Sequence, residues 1–421
     1  MKLNYKRTIL IGLAFLSISA FWQLYDMIIP LILRDRFQLG DDIAGIIMAL
    51  DNVLALFMLP LFGQLSDRCD TRIGRRMPFI LGGTLAAVVL MLALVYAQAH
   101  LGLTVFMVLL GLLLIAMGTY RSPAVALMPD VTPKPLRSKG NAIINLMGAL
   151  DGVFTLAAVR FLVRQGADGQ AEYFPLFLAV ALLMFVAVLV LRLRVNENAL
   201  RAEMPPEPQE EGASGGGKLP KPVFRSLLLI LFSVSFWYMG YNAVTTAYSK
   251  YFTRMWGDLS GSANCMMIAT VGAVVSYLPV GMISSKIGRK PMILIGVALL
   301  AACFGSCAFI TTFTPLVYVV FVLVGFAWAA INVNSYPMVV EISRGADVGK
   351  YTGYYYTFSM AAQIATPILS GFLLEHVGYH TLFPYAAGMV AVSFFTMLFT
   401  RHGDNRPDAP ASALEAFDAG D

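Results

Sequence analysis

The chain has 421 residues, of which 58% are hydrophobic and 13% charged, and its mean hydropathy is +0.71. A soluble protein of this length carries about twice that share of charge, so the composition excludes an ordinary soluble protein and points to a chain folded in lipid. The formal net charge of +5 needs no nucleic-acid partner, because the lysines and arginines gather on one side of the topology set out next.

Each bilayer crossing needs ~20 apolar residues. Twelve such stretches follow one another, roughly 8–33, 43–65, 79–98, 103–128, 141–163, 173–193, 223–249, 262–284, 291–311, 315–339, 351–374 and 381–400. Nothing is left for a separate soluble domain. Backbone groups at membrane depth must pair internally, so these are helices, and no alternating ten-residue pattern suggests a barrel. The start, Met1 through Arg7 and then a long apolar run, is too long for a signal sequence and holds Asp26 and Pro30. It reads as an uncleaved first span.

With twelve spans, both termini share a face. On it fall Lys2, Lys6, Arg7, Arg68, Arg72, Arg75, Arg76, Lys134, Arg137, Lys139, Arg192, Arg194, Lys286, Arg289, Lys290, Arg344, Lys350 and Arg401. The opposite loops hold only Arg34, Arg36, Arg164, Lys250 and Arg254. The termini are therefore expected in the cytoplasm of a cell with a cytoplasmic (inner) membrane. Residues 1–194 form a first bundle of six spans and 223–401 a second. Between them, 195–222 is rich in Pro, Glu and Gly and reads as a disordered tether. Residues 402–421 read as a cytoplasmic tail.

The first span contributes Trp22, Gln23 and Asp26 as candidate site residues, and the second Asp51. After the second comes Gly63-Gln-Leu-Ser-Asp67-Arg68-Cys-Asp-Thr-Arg72-Ile-Gly74-Arg75-Arg76-Met-Pro78. A weaker copy, Gly281-Met-Ile-Ser-Ser285-Lys286-Ile-Gly288-Arg289-Lys290-Pro291, lies about 215 residues further on. The chain is thus two related halves. Asp67, Arg68, Gly74, Arg75, Arg76, Gly288 and Arg289 are candidate gating residues, because a charged loop at the seam can pair in one state and not in another.

Ionisable groups inside the membrane cost ~2.5–3.5 kcal/mol on insertion scales and need a partner or a role. They are Asp26, Asp51, Arg121, Asp151 and Arg160, all in the first half. Arg121 lies nine residues before Asp130, ~13 Å from that helix end, and Asp151 ten after Asn141, ~15 Å in. Their spans are antiparallel, so an Arg121–Asp151 pair is expected at mid-depth, structural or sugar-binding, with Asn145 nearby. Asp26 and Asp51 sit ~24–28 Å up, where they can face each other or Arg160. Two carboxylates in an apolar region are suited to share or carry a proton, so this pair is the expected proton site. The plainer role for Asp26 is to cap a break at Pro30. Any one of these charges fits a silent structural pair; the whole set does not, because pairing alone is an expensive way to hold helices in lipid.

The second half offers polar aromatics at helical spacing. Trp237, Tyr241, Thr245 and Tyr248 recur at four, four and three residues, with Asn242 beside them. Trp328, Asn332 and Tyr336 recur at four, and Tyr356, Ser359, Gln363 and Thr366 share a face. Rings interleaved with amides suit a polyhydroxylated ligand such as a sugar, whose apolar faces stack while amides take the hydroxyls. Ordinary packing and interfacial anchoring explain the same residues less specifically.

The basic loop between the second and third spans resembles the signature of the major facilitator superfamily of transporters. Ser66 through Ile80, with its extra residues between Asp67-Arg68 and Gly74-Arg75-Arg76, is similar to the corresponding loop of the sucrose–proton symporters. Pro123-Ala-Val-Ala-Leu-Met-Pro-Asp130 and Arg137-Ser-Lys-Gly-Asn141-Ala142 resemble their next conserved loop. The likeness covers roughly 20–160. It implies an all-α membrane protein of twelve transmembrane helices in two pseudo-symmetric six-helix bundles. Such a fold holds substrate near the midplane and works by alternating access. It further implies the glycoside–pentoside–hexuronide:cation and sucrose symporter group. Plant members carry an acidic residue where Leu114 stands here, so the proton role moves to Asp26, Asp51 or Asp151, or is absent.

The cysteines Cys69, Cys265, Cys303 and Cys307 show no metal spacing, and the four histidines have no nucleophile near them. No enzyme, cofactor or metal is expected. The expected function is proton-coupled symport of a glycoside or disaccharide by a monomer in the lipid bilayer. Sodium is the alternative ion, with Asp51-Asn52 a thin start to its ligand set. An exporter of sugars or other small organic compounds, or a non-transporting sensor, is the alternative function.

Overall fold

The computed structural model describes residues 3–165, 171–204, 219–256, 259–343 and 347–404. Helices α1 (Tyr5–Leu31), α2 (Asp41–Arg68), α3 (Met77–His100), α4 (Leu103–Asp130), α5 (Arg137–Leu162) and α6 (Phe174–Arg194) build the first half. After the short α7 (Glu197–Ala202), the helices α8 (Lys221–Met255), α9 (Leu259–Ile287), α10 (Arg289–Cys307), α11 (Leu316–Glu341), α12 (Val348–His376) and α13 (Leu382–Leu398) build the second. Strands β1 (Arg164–Gln165) and β2 (Ala171–Glu172) pair as a two-residue antiparallel ladder between α5 and α6. Pro30 does not break α1, which continues into a π-helical turn at Ile32–Arg36.

Eleven helices among the described residues are long and apolar enough to cross a membrane, and the protein is a multi-pass membrane protein. The twelfth long helix, α5, is apolar over much of its length and carries Arg137, Lys139, Asn141, Asn145 and Asp151 along it. It packs chiefly on α1 and α9. The halves meet along two helix pairs related by the repeat, α2 with α12 and α5 with α9. Helices α3, α6, α10 and α13 stand outside, where α3 and α6 turn Leu85, Val89, Leu182 and Val186 outward.

Both termini and the link between the halves lie on one face. Arg7 pairs with Glu203 just after α7, and His402 after α13 bonds to Ser226 near the start of α8. The repeat also extends to how helix starts are capped. Glu197 accepts the backbone N–H groups of Arg75, Arg76 and Met77 at 2.9–3.1 Å, filling the open donors at the start of α3. Asp404 does the same for Arg289 and Lys290 at the start of α10. Each half therefore ends in an acidic residue that returns to the loop after its second span. The expected tether 195–222 is ordered at its beginning for this reason. Asn196 caps α7 by accepting from Ala199, and Glu197 is fully buried. Residues 205–218, and the tail beyond Asp404, lie outside the described residues.

Candidate functional site

The floor of the site is a polar seam on the face of the termini. Gly74 has φ +121°, and a side chain there would collide with Glu197. That turn starts α3 with two arginines. Arg75 and Arg76 both pair with buried Asp130 at the end of α4, and Arg76 also pairs with Asp67. Burial opposes the Arg76 charge, but Asp130 and Asp67 outweigh it, so its pKa is held above the ordinary arginine value. Asp67 then crosses the seam. Its two oxygens accept Gly349 N–H and Lys350 N–H of the other half, each at 2.8 Å, at the first turn of α12. This approach requires small residues: a Cβ on Gly63 or Gly349 would strike the other's carbonyl.

The weaker copy makes the counterpart seam. Gly288 has φ +100°, and Arg289 is buried and pairs with Glu341 at 2.9 Å, where α11 ends. Arg137 of the first half reaches the same carboxylate at 3.4 Å, and Arg289 donates to Ser138 Oγ across the seam at 3.1 Å. Ser285 stands where the first copy has Asp67, so the second seam is carried by Glu341 instead. Arg68 is exposed and takes no part in these cross-seam contacts among the described residues.

Above this floor lies a cavity of about 1010 Å³ between the halves, lined from α1, α2, α4, α5, α8, α11 and α12. Its base is sealed by Asn141 Nδ2, which donates to the Asn332 and Val333 carbonyls at 3.0 Å, and by Tyr336 Oη, which donates to the Val125 carbonyl at 3.2 Å. The wall holds Trp22, Gln23, Asp26, Asp51, Arg121, Asn145, Asn242, Asn332, Tyr336, Tyr356 and Gln363, all named from the sequence. Arg121 lies between two rings, 4.8 Å from the Trp22 centroid and 5.1 Å from that of Tyr356. Asp51 accepts Asn52 Nδ2 at 3.0 Å. Arg160's side chain is outside the described residues.

Four expectations are corrected. Arg121 and Asp151 do not pair. Helices α4 and α5 scarcely touch, and Asp151 is buried at 1% exposure away from the cavity, accepting only from Thr155 at 3.4 Å among the described residues. Asn141, Ile144, Asn145 and Gly148 are the cavity residues of α5, and Asp151 lies nearly a turn beyond the last of them, off the lining. Trp237 is fully buried in the second bundle's core, off the cavity wall. Tyr241 stacks on Trp328 at 3.7 Å as a wall-backing pair, so neither ring lines the cavity. On α8 the lining residues are Tyr238, Asn242 and Thr246, one residue out of phase with Trp237 and Tyr241, which is ~100° of rotation.

Sequence reasoning missed Tyr238, Tyr355 and Asn141 in the cavity and Glu197 beneath it. The signal for the first was the strip 238–242–246; for Glu197 it was the cap residue Asn196 before it.

A family model described as Major Facilitator Superfamily matches residues 11–264 and 230–418. A search of curated protein sequences finds no match. Among solved structures, the E. coli fucose:proton symporter FucP is 15% identical with a TM-score of 0.72, covering 95% of this chain and 100% of that one. FucP in an outward conformation gives 0.73. The proton:xylose symporter XylE, bound to 6-bromo-6-deoxy-D-glucose, is 14% identical with a TM-score of 0.64, covering 99% and 98%. The human organic anion transporter MFSD10 is 15% identical with a TM-score of 0.66, covering 94% and 100%. Identities this low establish a shared fold and nothing finer.

Proposed function

The chain belongs to the major facilitator superfamily, and from that premise we propose that it is a secondary active transporter that moves a small polyhydroxylated solute together with a proton. The observation that carries the reading is the cavity itself. One space between two repeat-related halves holds both a polar-aromatic wall and two carboxylates, Asp26 and Asp51, and is sealed on one side only by contacts that separate when the halves rock. Its volume is at the upper end of the ~300–1,000 Å³ usual for small-molecule sites, enough for a disaccharide with water. Trp22 and Tyr356 offer ring faces, while Gln23, Asn145, Asn242 and Gln363 offer amides. Asp26 and Asp51 are the proton site in this reading. The resemblance of residues 66–80 and 123–142 to sucrose–proton symporters supports it, as do the fucose and xylose symporters of the same fold.

The lysine and arginine bias supports cytoplasmic termini in the cytoplasmic membrane. The seam is then the closed cytoplasmic gate, and the state is outward-facing. Purified protein in proteoliposomes should accumulate labelled sugars when an inward proton gradient is imposed and lose that accumulation with a protonophore. Accumulation indifferent to the gradient rejects proton coupling. Ligand binding without flux identifies a sensor.

A further inference from the structure

We propose that the solute carries a carboxylate, and that Arg121 is the residue that selects it; this rests on the cavity being the transport site. Arg121 is a cation on the cavity wall, its Cζ 4.8 Å from the Trp22 ring centroid and 5.1 Å from that of Tyr356. Cation–π contacts place the charge over the rings but give its N–H donors no acceptor. Among the described residues those donors meet no acceptor: Arg121 has no hydrogen bond and no ion pair. Two further wall donors are also unmet, the buried Trp22 Nε1 and Asn242 Nδ2. Buried donors without acceptors are rare in a folded protein and call for an explanation. Here two of them border the cavity that Arg121 also lines.

The ligand chemistry follows from the donor set. A guanidinium fork matches a carboxylate with two parallel bonds, and a carboxylate accepts without donating. A neutral sugar hydroxyl satisfies one N–H and leaves the cation uncompensated. Asp26 and Asp51 line the same cavity but make no ion pair with Arg121, and Asp51 is turned to Asn52. The position opposite the guanidinium is therefore left to the solute. Gln23, Asn145 and Gln363 remain for hydroxyls, so a hydroxylated acid fits the whole wall.

The charges also tie the acid to the proton. The titratable groups on the wall besides Arg121 are Asp26, Asp51 and the tyrosines Tyr238, Tyr336, Tyr355 and Tyr356. With both aspartates ionised, the wall carries one net negative charge and opposes an anion. A proton on either carboxylate removes that opposition. Proton and acid then favour each other's binding, reciprocally, within one cavity.

The test uses the full chain in nanodiscs and matched pairs that differ at the acid group: D-glucuronate with D-glucuronamide, and lactobionate with lactitol. Calorimetric titration should show at least tenfold tighter binding of the acid in one pair. Arg121→Gln should erase that ratio, and Arg121→Lys should keep part of it. Thermal unfolding monitors the fold of both variants, and the acid-to-neutral ratio is a readout that a merely structural arginine does not move. Equal or tighter binding of the neutral member overturns the inference and leaves the sugar reading standing. A ratio unchanged in Arg121→Gln overturns the assignment to Arg121. No binding of any acid, with gradient-driven uptake of neutral sugars intact, overturns the inference alone; the loss of both overturns the transport reading as well.

Discussion

Replacing Asp67 by Asn keeps the size of the side chain and removes its charge. In the present state that charge holds the first turn of α12 through Gly349 N–H and Lys350 N–H, both at 2.8 Å, and pairs with Arg76 within its own half. A hydrogen bond to a charged group contributes ~1.5–3 kcal/mol, and an anion at a partly buried helix start up to ~2 kcal/mol. Asn retains one acceptor oxygen, so the expected loss of seam stability is ~1.5–3 kcal/mol. Each ~1.4 kcal/mol is a factor of ten, which places the shift toward the state open at the terminal face at ~10–100-fold. Arg76 remains compensated by Asp130, so the fold should hold. Spin labels at Leu101→Cys and Phe309→Cys, one exposed position in each half, should move closer as the opposite face shuts. Solute exchange should slow more than binding weakens. Asp130→Asn is the control, because among the described residues Asp130 pairs with Arg75 and Arg76 of its own half and makes no contact across the seam. An unchanged label distance in Asp67→Asn, or an equal shift in Asp130→Asn, refutes the argument.

Asp26→Asn or Asp51→Asn should abolish gradient-driven uptake while sparing exchange, whereas Asp151→Asn, off the cavity, should leave both intact; proteoliposome flux separates them, and coupling lost only in Asp151→Asn reverses the assignment. Gly349→Ala drives a Cβ into the Gly63 carbonyl and to 2.8 Å from Asp67 Oδ1. It should disfavour the closed seam and stop transport without unfolding, and normal turnover contradicts the close approach. Glu197→Gln weakens the acceptor of three backbone N–H groups, and a loss of ~1–3 kcal/mol should lower the unfolding temperature in nanodiscs; an unchanged midpoint rules that cap out as a source of stability. An impermeant thiol reagent should not reach a cysteine placed at 205–218 in intact cells, and labelling there inverts the orientation.

The linear chain by itself determined the class, the number of crossings and the two-fold repeat. These depend on local quantities: run length against bilayer thickness, the density of charge, and the recurrence of Gly74-Arg75-Arg76 as Gly288-Arg289-Lys290. It also named the charged residues of the cavity wall, because Asp26, Asp51 and Arg121 are costly in lipid wherever they point. Tertiary structure alone decided the partners. Helices α4 and α5 are consecutive yet nearly out of contact, so equal depth did not bring Arg121 to Asp151. One residue of helical phase moved Trp237 and Tyr241 off the wall and put Tyr238 on it. Glu197 lay in a stretch with the composition of a tether, and its role exists only because the chain folds back onto the start of α3. Depth is read along one helix, but facing requires the rotation and packing of all of them, which no single segment encodes.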